Sequence, residues 1–175
     1  MLSIIKNIEL IIIQFIYTLQ TPTLNRIMIL FTKLGDHGTI WIIITLLLLL
    51  NKKTRKIGWI AVFSLIICSL IVNVGLKPLL QRQRPYNFLP DIRFLIEIPK
   101  DYSFPSGHTA ASFTMIYVFY KNLKKYFWIV LAVCCLIAFS RLYLSVHFVS
   151  DVLIGGIIGL FSGFLGQILY EKFKK

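Results

Sequence analysis

From Ile57 to Leu76 the chain runs for twenty residues without a charge. As a helix such a run rises about 30 Å, the thickness of the hydrocarbon core of a bilayer. Its twelve Ile, Val, Leu and Phe residues favour membrane insertion by roughly −4 to −7 kcal/mol, before Asn73 and Ser64 subtract some. The rest of the chain decides between lipid and a protein core. Hydrophobic residues make up 57% of the 175 positions and charged residues only 15%, with a mean hydropathy of +0.78. A soluble domain carries about 25% charged residues, so this surface cannot face water on all sides. Composition excludes a soluble enzyme, a disordered chain and a nucleic-acid-binding domain. It leaves an integral membrane protein in contact with the lipid bilayer.

Further apolar segments follow the same logic. Tyr126 to Leu144 and Phe148 to Tyr170 each suffice for a span, the latter with Asp151 near its start. Ser106 to Tyr120 is shorter, and Thr39 to Leu50 is short enough that its helix should extend toward Leu34. Residues 1–35 fit one broken span, two short helices or a helix lying in the interface. The sequence therefore predicts an all-α, polytopic bundle of five or six spans, forming a single domain over residues 1–175. No signal peptide is expected, because the first apolar run carries Lys6 and no cleavage site of small residues follows it. Cys68, Cys134 and Cys135 all sit inside apolar runs and read as membrane residues, not a disulfide framework.

The net charge of +12 reads as topology. Four Lys or Arg lie in Asn51–Lys56, three in Lys121–Lys125 and three after Glu171, ten of the nineteen in short segments. Counting spans puts all three segments on one side, which the positive-inside tendency makes cytoplasmic. The stretch from Lys77 to Asp101 falls on the other side with five cations. Burying these in hydrocarbon would cost about 12–17 kcal/mol, so the stretch lies outside the lipid core, on the external face.

Three polar clusters share that face. Lys77, Arg84 and Pro85 form the first, with Pro78 expected to end or bend the span at Lys77. Pro105-Ser106-Gly107-His108 stands just before a helix-like run, where unpaired N–H groups and the helix dipole suit a phosphate. Ser140-Arg141, His147 and Asp151 form the third. His147 and Asp151 are four apart and would share one helix face, letting the carboxylate hold one imidazole nitrogen as N–H. Arg141 lies six residues before His147, which a continuous helix would turn away, so a break is expected between Leu144 and His147, with His147 in the first turn of the next span. Three permanent cations, a helix N-terminus, two His and one Asp make an inventory for phosphoryl chemistry. Cations and N–H groups stabilise the phosphoryl group, one His can attack phosphorus and the other can protonate the leaving oxygen. With His147 paired to Asp151, no dense ligand cluster remains, so neither a metal nor another cofactor is expected.

Lys77-x6-Arg84-Pro85, Pro105-Ser106-Gly107-His108 and Ser140-Arg141-x5-His147-x3-Asp151 together resemble the three signatures of the type 2 phosphatidic acid phosphatase superfamily. The resemblance covers residues 77–151; the remaining chain matches only in its apolar, multi-span character. It implies catalytic roles for His147 as the nucleophile, Asp151 as its orienting partner and His108 as general acid and then base. It implies phosphate binding by Lys77, Arg84, Ser106, the Gly107 amide and Arg141, without a metal. The substrate class it implies is a lipid phosphate or diphosphate, with undecaprenyl diphosphate first and phosphatidic acid or phosphatidylglycerophosphate as alternatives. A phosphoryl transferase or a non-catalytic phosphate-binding module are the readings from other classes.

Two features stand outside the signatures. Gly35-Asp36-His37-Gly38 should lie near the mouth of the site, where Asp36 would orient a basic residue, line the pocket or simply form a polar turn. Gly155, Gly159 and Gly163 repeat every four residues, a spacing that lets helices approach closely. Packing within one chain is the reading here, with dimerisation as its alternative.

Overall fold

The computed structural model describes residues 2–89 and 92–174; Met1, Pro90, Asp91 and Lys175, the last cation of the basic tail, lie outside the described residues. Every regular element among the described residues is helical. Helix α1 spans Leu2–Thr18 and α2 spans Pro22–Gly35. Pro22 starts α2 where its missing N–H costs nothing, and the Thr21 hydroxyl accepts from the Leu24 amide at 3.3 Å. A 3₁₀ turn, Asp36–Gly38, joins α2 to α3, Thr39–Leu50. The helix of the apolar Thr39–Leu50 run thus does extend back past Leu34, with a kink at His37 and Gly38, whose φ values are +53° and +70°.

Helix α4 (Arg55–Ser69) runs into a π-helical stretch, Leu70–Leu76, and then α5, Lys77–Leu80. Here the structure corrects the sequence reading. Lys77 keeps helical dihedrals (φ −60°, ψ −53°) despite Pro78, and the helix stops only at Gln81, with φ +45°. Proline disturbs a helix by removing one N–H bond and crowding the carbonyl four residues back. The wider π turns immediately before it change that register and make room.

Helices α6 (Gly107–Asn122), α7 (Phe127–Tyr143) and α8 (Val149–Phe173) complete the bundle. Four helical runs are long and apolar enough to cross a membrane: Pro22–Leu50, Arg55–Phe88, Lys124–Tyr143 and Val149–Phe173. Helices α1 and α6, of 17 and 16 residues, are slightly shorter and stand beside them. The outer faces carry large apolar side chains such as Leu50, Trp128 and Leu153, each more than 60% exposed, as lipid-facing surfaces do. All three cysteines are free, Cys68 and Cys134 buried and Cys135 on the outer face.

Helix α6 is the axis of the bundle, packing on α4, α7 and α8. Its contact with α8 is made by the glycine stripe. A Cβ on Gly155 would come within 2.7 Å of the Ser106 carbonyl, and one on Gly163 within 2.6 Å of Tyr117 Cβ; Gly159 sits against the Ala110 carbonyl. The small residues therefore serve packing inside one chain. The basic segments gather at one end: Lys56 Nζ lies 6.0 Å from the Tyr170 ring, and Asn122 Nδ2 donates to Gln167 at 3.0 Å. The three polar clusters lie at the other.

Candidate active site

Each cluster reaches the site from a different element. Ser106 is the N-cap of α6, fully buried, with its hydroxyl 2.9 Å from that of Thr109. Its side chain serves the helix and does not line the cavity beside it. Gly107, the first residue of α6, does line that cavity, and a Cβ there would lie 3.9 Å from Lys77 Nζ. Thus a helix N-terminus and a lysine ammonium flank the same space.

Arg84 is 3% exposed. Its Nη1 donates to the Val146 carbonyl at 2.6 Å and lies 3.2 Å from His147 Nε2, and its Nη2 donates to Asp101 Oδ1 at 2.6 Å. A guanidinium has only donors, so His147 Nε2 is the lone-pair nitrogen and Nδ1 carries the proton. Asp151 Oδ2 lies 3.5 Å from that Nδ1, long for a hydrogen bond, and Nδ1 has no other partner among the described residues. Such contacts commonly tighten when substrate arrives.

The structure corrects two expectations about this cluster. The break after Arg141 is present, but it spans Leu144–Phe148, and α8 begins only at Val149. His147 therefore precedes the helix and does not share a helical face with Asp151. The two meet because the turn folds back, with Ser145 at φ +55° and the Val146 and His147 amides donating to the Arg141 carbonyl. Asp151, in the first turn of α8, accepts from the Phe148 amide at 2.9 Å and so caps its own helix.

Buried polar partners invisible in the signatures hold these groups. Asp151 is completely buried; it accepts from Ser103 Oγ through Oδ2 and from Arg82 Nη1 through Oδ1 at 2.6 Å. Arg82 Nη2 donates in turn to Glu9 on α1 at 2.6 Å, and Glu9 accepts from the Ser150 amide at 2.8 Å. Arg141 donates from Nη1 to Thr32 of α2, while its buried Nε has no partner among the described residues. Arg141 thus lines the cavity with one buried donor unsatisfied. Asp101 pairs with Lys77 as well as with Arg84. Burial would raise the Asp101 carboxyl, but the Lys77 ammonium and Arg84 outweigh it and hold the group at about 2. Burial holds the His147 imidazole well below its ordinary value, and Arg84, Arg141 and Lys77 add to the effect.

The cavity is open and has a volume of about 1300 Å³. Its lining includes Lys77, Arg84, Arg141, Gly107, His108 and His147, together with the apolar Ile42, Leu65, Val72 and Phe94. A lining that combines cationic, nitrogen-rich groups with apolar side chains suits an amphiphile with an anionic head. Of the residues expected to act in catalysis or phosphate binding, Ser106 and Asp151 stand behind the lining, as do the signature residues Pro85, Pro105 and Ser140.

The family pattern of the PAP2 superfamily matches residues 57–175. The chain belongs to the PAP2 superfamily. The undecaprenyl-diphosphatase of Sulfolobus acidocaldarius is 36% identical over 147 residues, covering 83% of this chain and 70% of that protein. Phosphatidylglycerophosphatase B of Bacillus subtilis is 32% identical over 173 residues, covering 90% and 80%. Among solved structures, the crystal structure of Aquifex aeolicus LpxE superposes with a TM-score of 0.78 at 27% identity, over 89% of this chain and 92% of that one. With this family the chain is a membrane-embedded lipid phosphatase.

Proposed function

We propose that residues 1–175 form one phosphatase domain that hydrolyses undecaprenyl diphosphate to undecaprenyl phosphate without a metal. The observation that carries this reading is the convergence of Lys77, Arg84, Arg141 and the α6 N-terminus on one cavity with both His108 and His147. Three permanent cations and the Gly107 amide supply the positive charge that a phosphoryl transition state needs. The lone pair on His147 Nε2 attacks phosphorus. The bond from phosphorus to the leaving oxygen breaks, and His108 gives that oxygen a proton. The phosphohistidine is then attacked by water, which loses its proton to His108; the P–N bond breaks, and phosphate leaves with His147 restored. Asp151 stabilises the positive charge that appears on the His147 ring during attack.

The apolar side chains in the lining support a lipid, and the relative from Sulfolobus acidocaldarius supports a diphosphate. The site end of the bundle faces outward in this reading, because ten cations in short segments hold the opposite end in the cytoplasm. The relative from Bacillus subtilis, aligned over 90% of the chain, supports phosphatidylglycerophosphate as the second reading.

The test is phosphate release in detergent micelles containing chelator, from undecaprenyl diphosphate, farnesyl diphosphate, phosphatidic acid and phosphatidylglycerophosphate. Release that survives chelator, is fastest with the undecaprenyl substrate and vanishes in His147→Ala is the expected result. Faster release from phosphatidylglycerophosphate would select the second reading. No release from any lipid by folded protein would overturn both, in favour of a transferase or a binding module.

A further inference from the structure

The bend between α2 and α3 closes on one edge of the His108 ring. Asp36 Oδ1 lies 2.8 Å from His108 Nε2. Gly35, the residue before, is pressed on the neighbouring ring carbon: a Cβ there would sit 2.8 Å from His108 Cδ2. Nε2 and Cδ2 are adjacent in the imidazole, so this edge is fully taken up by the bend. Nδ1 lies on the opposite edge and has no hydrogen bond to any described residue, while His108 itself lines the cavity. The bend is built for this approach. His37 at φ +53° and Gly38 at φ +70° turn the chain sharply between two helices, and α2 is anchored one turn earlier by the contact of Thr32 with Arg141.

A carboxylate accepts hydrogen bonds and donates none when ionised, so it fixes Nε2 as N–H and leaves Nδ1 to exchange protons with the substrate. We propose that Asp36 is the positioning residue of His108, selecting the tautomer in which Nδ1 is the proton-transferring nitrogen. The site then holds two Asp–His pairs of opposite sense. Asp151 faces Nδ1 of His147 and leaves the lone pair on Nε2, where Arg84 Nη1 approaches; Asp36 holds Nε2 of His108 and leaves the lone pair on Nδ1. The proposal rests on the phosphatase reading above for what His108 does, though not for how its ring is held.

Two measurements on the full chain test it. The protein contains three histidines, so ¹⁵N-histidine labelling in micelles resolves each imidazole, with His37→Gln and His147→Gln used for assignment. The neutral His108 ring is expected as the Nε2–H tautomer in the native protein and in Asp36→Asn, whose side-chain oxygen still accepts. In Asp36→Ala a mixture of tautomers is expected. An Nδ1–H ring in the native protein would overturn the proposal, and this readout needs neither turnover nor a folded alanine variant.

The second measurement is kcat for a series of aryl phosphates of rising leaving-group pKa. General acid catalysis is worth about 10²–10⁴-fold where the leaving oxygen needs a proton, and little where it does not. Asp36→Ala is expected to slow the poorest leaving group at least about 30-fold and the nitrophenyl ester under about 3-fold, with Asp36→Asn intermediate. An equal loss across the series would mean a merely structural role and would overturn the proposal. No turnover of any lipid or aryl phosphate by the native protein would sink the phosphatase reading instead, and the tautomer measurement would still judge Asp36.

Discussion

Asp101 Oδ1 accepts from Arg84 Nη2 at 2.6 Å, and the other oxygen of the same carboxylate meets Lys77. An internal carboxylate thus spans two of the cations that line the cavity. A phosphate arriving there competes with it for the same donors. Because Asp101 is held at about 2, it stays ionised throughout the working pH range. Replacing it with asparagine removes the competing charge and keeps the shape. Asp101→Asn is expected to tighten inhibition by inorganic phosphate about 3- to 10-fold, as one charge–charge contact at a half-exposed site would. Inhibition constants measured at constant ionic strength decide the point; a weaker or unchanged constant would show that Asp101 orders the cations instead.

His147 imposes a pH dependence on stability. Its imidazole is buried and neutral in the fold, mainly through burial and then through Arg84, Arg141 and Lys77. The unfolded chain therefore binds the extra proton first as pH falls through the ordinary histidine value of about 6.5. More protons on the unfolded side mean that stability rises with pH through the window below that value and levels off above it. Melting temperatures in detergent between about pH 5 and pH 8 should fall on the acid side, and His147→Asn should flatten that slope. An unchanged slope in the variant would assign the dependence to another group.

Arg82 joins two buried carboxylates, Glu9 at 5% exposure and Asp151 at 0%. Removing the shared cation leaves both unpaired, so Arg82→Ala is expected to cost about 3 kcal/mol or more. The double variant Glu9→Gln with Arg82→Ala should lose less than the two single losses added together, since one stranded charge is gone. Additive losses in a denaturation cycle would argue against a shared network.

The α6–α8 contact leaves no room for side chains. Gly159→Val drives methyl groups into the Ala110 carbonyl and Phe113, both of them backbone or near-backbone neighbours. A loss of more than about 3 kcal/mol is expected, with activity falling in parallel as Ser106 and Gly107 shift. Ile157→Val on the outward face of the same helix, 61% exposed, should change stability by under about 1 kcal/mol. Equal tolerance at both positions would place the stripe elsewhere than in this interface.

Class, the gathering of the polar clusters at one end and the chemical groups lining the cavity were all legible in the residues. Uncharged runs of span length, cations confined to short segments and three spaced signatures depend on local composition and covalent spacing, which a linear chain displays directly. The partners of those groups were not. Ser103 reaches Asp151 across 48 positions, Arg84 reaches His147 across 63, and Glu9 reaches the Ser150 amide across 141. Asp36 finds His108 across 72, and nothing near Gly35–Gly38 in the sequence says which basic residue it faces.

Local geometry also depended on neighbours. Pro78 reads as a helix end until the π turns before it are seen, and the spacing of His147 and Asp151 reads as one helix face although a turn brings them together. The sequence by itself determined what this chain is made to do and on which end of a membrane bundle, because partitioning into lipid is set residue by residue. Only the tertiary structure decided which nitrogen of each imidazole carries the proton and which the lone pair. That choice depends on angles and separations between helices far apart in the chain, which packing around α6 sets.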